Sequence, residues 1–369
     1  MPEQRFTVLE AIEHQAAGCA RVGSALYAAL LTGLAADYLS GGSTAELLDG
    51  VSEQPLHDAV PLRYLATAHR LALSGRAPEL AEHYASCGGS WSGADLTDMF
   101  LSAVANHRHE FVIGMQRNVQ TNEVGRAVAL TAGFSLVADR HGLPLRTWEI
   151  GGSAGLLSRW PSYSYDTGES SAGDPDSEVR FDATWYSGGL PPLHGGIAVV
   201  ERASSDISPI DASSADGQLS MLSFLWPDQH ERRERLLAAI AVAERDPVVV
   251  ETADAAEWLA TRLGAPLPSR VTTVVFHSIV WQYLPRATKE GVRAALDDAG
   301  GRATAESPLC WLRMEPANAE HADLRLTTWP AGQHNEQQTE PQKRRDELGG
   351  HDELLAHVGY HGADLRWLG

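Results

Sequence analysis

The stretch Leu145-Arg146-Thr147-Trp148-Glu149-Ile150-Gly151-Gly152-Ser153-Ala154-Gly155-Leu156 constrains the fold more than any other part of the chain. It reads as a strand that ends in a carboxylate, Glu149, and runs through a glycine turn toward a helix. Open parallel α/β sheets use this arrangement to present main-chain N–H groups to a nucleotide or nucleoside. A plain turn with no ligand is the competing reading, and the motif alone leaves both open. Ser153 stands in the middle of the turn, where a side chain narrows a ligand's approach to the backbone.

The elements around this stretch are ordered. Residues 1–140 read as helices: Phe6, Val8, Leu9 and Ile12 recur at helical spacing, as do Leu26, Ala29, Leu30, Leu34 and Tyr38, and then Leu62, Leu65, Ala68 and Leu71. From Leu145 onward strands alternate with helices. Strands are expected at Ile197–Glu201, Val248–Glu251, Val271–Phe276 and Leu309–Met314, with a helix near 229–245. The β-branched run Val271–Phe276 suits a central parallel strand. Leu324–Trp329 and Val358–Trp367 alternate and are expected to pair at an edge. The residues predict a helical N-terminal domain over 1–140 and an α/β domain over 141–369. An insertion at about 157–196, rich in Tyr, Gly, Ser and Asp, is expected to form a hairpin or flap. The polar stretch Gln333–Gly349 reads as mobile.

Composition narrows the classes of function. A chain of 369 residues suits two domains, each with its own core. Its formal net charge of −19 repels phosphate backbones and argues against nucleic acid as a partner. No apolar run approaches the ~18 residues of a membrane span. The polar start Met1-Pro2-Glu3-Gln4-Arg5 does not resemble a signal peptide. Cys19, Cys87 and Cys310 are odd in number and far apart, which speaks against a disulfide framework. A cytoplasmic protein with a small-molecule substrate is expected, and a second copy or a small protein partner stays open.

Six segments in order carry a resemblance: Gln120–Arg126, Glu149–Leu156, Asp206–Asp211, Trp226–Gln229, Phe276–Pro285 and Trp311–Pro316. Together they resemble a largely actinobacterial family of unknown function with a helical N-terminal region. Its second domain is similar to the Rossmann domain of S-adenosylmethionine-dependent methyltransferases. The spacing Glu149-x-Gly151-x-Ser153-x-Gly155 resembles the acidic-x-Gly-x-Gly-x-Gly loop of the class I enzymes, with Ser153 in place of a glycine. The resemblance implies a class I methyltransferase-like sheet of parallel strands with a C-terminal antiparallel hairpin. It implies S-adenosylmethionine as cofactor and a small polar metabolite as substrate. Some members of the family sit in natural-product pathways, where a protein of this kind is associated with closing an aziridine ring by loss of sulfate, without methyl transfer.

The candidate cofactor residues are Glu149, Gly151, Gly152, Ser153 and Gly155, with Asp206 for the ribose hydroxyls and Asp254 near the adenine. Each carboxylate has a structural alternative: Glu149 and Asp206 as turn caps, Asp254 as a helix N-cap. His277 directly follows the fourth strand of the sheet and faces the crevice as a candidate general base, or is simply a buried, hydrogen-bonded histidine. Glu123 is the second candidate for acid–base work. Gln120, Asn122 and Arg126 could hold a polar substrate, with Arg126 forked onto an anion, or they could form a salt bridge between domains. Trp281, Gln282 and Tyr283 could wall a pocket or pack a helix. The run His107-Arg108-His109-Glu110 puts neighbouring ligands on different helix faces, so no metal is expected.

Three functions follow. The first is a methyltransferase-fold enzyme with S-adenosylmethionine over Gly151–Gly155 and a substrate entering between the domains. The second keeps the fold but eliminates an oxyanion such as sulfate while closing a small ring. The third is a non-catalytic binding or scaffold subunit.

Overall fold

The computed structural model describes residues 6–117, 119–120, 122–318, 320–330, 344–345 and 349–369. Met1–Arg5 and most of the polar stretch 333–349 lie outside the described residues. The chain divides into two compact units, residues 1–121 with 213–237 and residues 122–212 with 238–369.

The first unit is helical: α1 (Val8–Arg21), α2 (Ala25–Leu39), α3 (Ser43–Leu48), α4 (Val60–Leu73), α5 (Pro78–Ala81), α6 (Thr97–Asn106) and α7 (Arg108–Gly114). Helix α1 starts with a capping box, in which the Thr7 hydroxyl accepts from Glu10 N–H and the Glu10 carboxylate accepts from Thr7 N–H. Leu30, Leu31, Leu34, Tyr64, Leu65, Phe100 and Phe111 share its core. Tyr64, Phe100 and Phe111 meet edge to face, the geometry that aromatic quadrupoles favour.

The second unit opens with α8 (Ala127–His141) and is organised by a nine-stranded sheet. Its strands are β1 (Leu145–Ile150), β5 (Val199–Asp206), β6 (Val250–Thr252), β7 (Thr272–Ser278), β8 (Leu309–Pro316), β9 (Ala322–Trp329), β10 (Arg344–Arg345), β11 (His351–Val358) and β12 (Arg366–Trp367). Strands β2 (Ser164–Asp166), β3 (Ser171–Gly173) and β4 (Arg180–Phe181) make a separate three-stranded sheet within the 157–196 insertion. The main order is β10-β11-β9-β8-β7-β1-β5-β6, with β12 paired to β11. Strands β6, β5, β1, β7 and β8 are parallel, and β9 and β11 add antiparallel pairs.

Every residue of β7 is buried, as a central strand covered on both faces requires. One face packs on α11 (Ala255–Leu263) and α12 (Arg286–Gly300) through Trp148, Trp258, Val275, Leu296 and Trp311. The other face takes α8, where a Cβ on Gly133 would stand 2.5 Å from Leu312. That glycine lets helix and strand approach closely. The expected division near residue 140 falls at the end of α8, whereas α8 packs on the sheet and the compact unit begins at Asn122. The segment 213–237, with α9 (Ala215–Ser223), belongs to the first unit, and α10 (His230–Arg245) carries the chain back. No helix of the described residues is long and apolar enough to cross a membrane.

Candidate functional site

From β1 the chain steps outward to β5 and β6, then returns to β7 and β8 on the other side. The strand order therefore reverses between β1 and β7. Open α/β sheets bind ligands at this point, outside the carboxyl ends of the strands.

The turn after β1 has Gly151 at φ 69°, Ser153 at φ 53° and Gly155 at φ 66°. A Cβ on Gly151 would lie 2.4 Å from Val280, so the turns after β1 and β7 pack on each other. The N–H groups of the glycine turn bond within the chain. Gly152 donates to Ser205 O at 3.0 Å and Gly155 to Gly152 O at 2.6 Å. Ser153 N–H donates to Asp206 Oδ2 at 2.9 Å, and Ala154 N–H to Asn122 Oδ1 at 3.1 Å. The Asn122 amide also donates to Ser153 Oγ at 3.0 Å. The other Asp206 oxygen accepts Ser208 N–H at 2.8 Å. Asp206 thus fastens the turn, the structural alternative the sequence had left open for it.

Glu149 is buried beneath this turn and accepts the Ser158 hydroxyl at 2.6 Å. Burial pushes its carboxyl up to about 7, against the opposing pull of Ser158 and Arg159. The Arg159 guanidinium donates to the Ala154 and Gly155 carbonyls from behind. Glu123 accepts Gly125 N–H at 3.1 Å and caps the short turn Val124–Arg126. Arg126, buried, donates to Tyr360 O at 3.1 Å and Ser278 O at 3.4 Å, tying the start of α8 to the ends of β7 and β11. Gln120 belongs to the first unit and is half-buried. Asp254 is the N-cap of α11 and its second oxygen accepts Thr288 Oγ1–H at 2.7 Å, which is the capping alternative.

His277 is fully buried at the carboxyl end of β7, and its Nδ1 lies 2.7 Å from Glu315 Oε1. That same oxygen accepts Val280 N–H at 3.1 Å and Trp281 N–H at 3.2 Å. The Glu315 carboxylate can only accept, which makes Nδ1 the donor; in the neutral ring the lone pair then sits on Nε2. Neither His277 Nε2 nor Glu315 Oε2 has a partner among the described residues. Trp281 stacks on the imidazole at 5.4 Å and 15°, and Trp311 covers it at 5.7 Å. Ile279 holds φ 51°, a left-handed backbone that costs a β-branched residue energy and marks a constrained turn. Gln282 and Tyr283 are exposed, whereas Trp281 lines the buried histidine. Phe276 leaves β7 toward Phe134 of α8, and His277 leaves on the opposite face. Arg126 therefore meets this strand through the Ser278 carbonyl and not through the imidazole.

Glu315 lies within the segment Trp311–Pro316, but no linear pattern gives it a role, because the pairing of β7 with β8 brings it to His277. A group with metal-ligand chemistry, His321, Asp323 and His357, is likewise invisible in linear spacing. A cleft of about 460 Å³ opens at the start of β5, lined by Val199–Ala203, Val248, Val249, Glu251 and Arg262. It lies at the amino end of β5, where Val248 of its lining stands 3.7 Å from a Cβ built on Gly155, and its Arg262 is already paired with Glu201 and Glu251. We therefore place the candidate site at the carboxyl ends of β1 and β7. No curated protein and no solved structure matches the chain. A family of uncharacterized proteins conserved in bacteria, DUF2332, matches residues 9–345, and the chain belongs to it.

Proposed function

We propose that this chain is an enzyme that acts on a small polar metabolite, on a methyltransferase-like frame, with His277 as general base. The observation that carries this reading is the His277–Glu315 pair. A carboxylate fixes the Nδ1 proton, and a buried Nε2 lone pair is left without a partner. A buried polar atom without a partner costs about 1–3 kcal/mol; other buried atoms of the described residues share that state, and the carboxylate that orients the imidazole is what sets His277 apart. Nucleophile- and proton-activating histidines are oriented in this way.

S-adenosylmethionine was expected over the glycine turn, with its ribose on Asp206. The turn is poorly suited to that placement, because the N–H groups of Gly152, Ser153, Ala154 and Gly155 are already bonded within the chain and Ser153 stands where the loop would carry a glycine, although each Asp206 oxygen keeps a lone pair. We therefore favour a reaction without methyl transfer. In that step the base takes a proton from an amine, and the freed lone pair forms a C–N bond at carbon. The C–O bond to an oxyanion such as sulfate breaks and its electron pair leaves with the oxyanion. The turn Ile279–Trp281 would open to admit the substrate to Nε2.

Methyl transfer remains the second reading, favoured by the position of the glycine turn at the reversal of strand order. Calorimetric titration with S-adenosylmethionine and S-adenosylhomocysteine separates the two. No binding at millimolar ligand, together with a thermal shift on a panel of amino-alkyl sulfate and phosphate esters, supports elimination. Binding of S-adenosylmethionine that Asp206→Ala weakens would sink it.

A further inference from the structure

We propose that His321, Asp323 and His357 form a binding site for one divalent transition-metal ion of the zinc or ferrous class. Asp323 on β9 and His357 on β11 are direct cross-strand partners, so the ladder fixes their Cβ atoms side by side. His321 stands two residues before Asp323 and emerges on the same face. Residues Ala322, Leu324 and Leu326 take the other face, where Leu326 pairs with Leu312 under α8.

The ligand atoms are already gathered. Asp323 Oδ1 lies 2.9 Å from His357 Nδ1 and 3.6 Å from His321 Nε2. All three ligand atoms lie within 4.8 Å of one another. A tetrahedral ion with bonds of ~2.1 Å sets its ligand atoms about 3.4 Å apart, so small side-chain rotations suffice. Two imidazoles and one carboxylate leave coordination positions for water or substrate, the pattern of catalytic zinc and non-haem iron sites. All three residues are partly exposed, which gives an ion a path in.

The surroundings call for a cation. Asp323 is the cross-strand partner of Glu315, and like charges directly opposite destabilise a ladder. Arg325 approaches the second Asp323 oxygen at 3.7 Å, but its shorter bonds, 2.6 and 3.1 Å, go to Asp352. The Asn318 carboxamide accepts the N–H groups of Glu320 and His321, which pins the turn that presents His321. Strands are spaced about 4.8 Å apart, so the ion would sit on β9 and β11 about 10 Å from β7 and His277. Binding at this place does not depend on the chemistry of His277.

The test is titration of chelator-stripped full-length protein with Zn²⁺ by calorimetry and with Co²⁺ by visible absorption. One ion per chain is expected, and His357→Ala and Asp323→Asn should each weaken it about 100-fold or more, since even changes to groups that only hydrogen-bond to a metal's ligands cost about 10–100-fold. The Co²⁺ spectrum should show ligand-field bands without thiolate charge transfer, which excludes Cys87. His321→Ala lies outside the strand and leaves the ladder intact, so it must also lose the ion while keeping the wild-type circular dichroism. The proposal is overturned if wild type binds no ion, if all three variants bind as wild type does, or if thiolate bands appear.

Discussion

Replacing Glu315 tests the central turn directly. Its Oε1 accepts from His277 Nδ1, Val280 N–H and Trp281 N–H. In Glu315→Ala all three donors lose their acceptor. The imidazole is fully buried, so its loss takes a full charge-assisted bond, about 2 kcal/mol. The two main-chain groups belong to half-buried residues that water can reach, so each costs about 0.5–1 kcal/mol. The total is about 3–4 kcal/mol, a large share of a marginal stability. Glu315→Gln keeps an oxygen in the same place and should cost about 1 kcal/mol. Urea unfolding followed by circular dichroism reads the difference as a lower midpoint at unchanged slope. If Ala costs less than about 1 kcal/mol, or Gln costs as much as Ala, the turn is not held by this carboxylate and the reasoning fails.

Other expectations follow from the same geometry. Burial raises the Glu149 carboxyl from 4.5 to about 7, so the folded state holds a proton that the unfolded chain releases. Its contribution to stability is full below pH 4.5 and is lost as pH rises to about 7, on the order of 3 kcal/mol. Glu149→Gln should therefore match wild type at pH 4 and exceed it at pH 8; equal midpoints at both values would contradict the shift. His69 in the first unit is buried against Ser86 and Ser223 and its pKa falls to about 4. That contribution is full above pH 6.5 and is lost toward pH 4, and His69→Gln should abolish this acid sensitivity in the first unit, read by hydrogen exchange. Gly155→Val should remove any ligand held by the glycine turn. The structure predicts a stability loss as well, because φ is 66° and a Cβ meets Val250 at 2.9 Å. A left-handed valine costs about 1–2 kcal/mol before any clash, and an unchanged melting temperature would refute this.

Much of the architecture was legible because its signals are local. The β-branched run in β7, the carboxylate–glycine turn after β1 and the alternation of β9 each declare themselves within about ten residues. The boundary was less visible: α8 has an apolar pattern like the helices before it, and only packing, such as Gly133 against Leu312 and Phe134 against Phe276, assigns it to the sheet. Site residues divided in the same way. Asp254 and Glu123 carry ordinary capping chemistry, and spacing alone could not separate capping from ligand contact. Glu315, Ile279 and the group His321, Asp323 and His357 depend on pairing between strands or on a backbone dihedral, which no linear spacing encodes.

The most direct test of the proposed site is hydrogen exchange of the intact protein with and without the small molecule that most raises its melting temperature. The account predicts that new protection concentrates in residues 150–156 and 279–283, the turns after β1 and β7, and that His277→Gln retains the protection while losing turnover. Protection confined to the cleft at the start of β5, with neither turn affected, would contradict it.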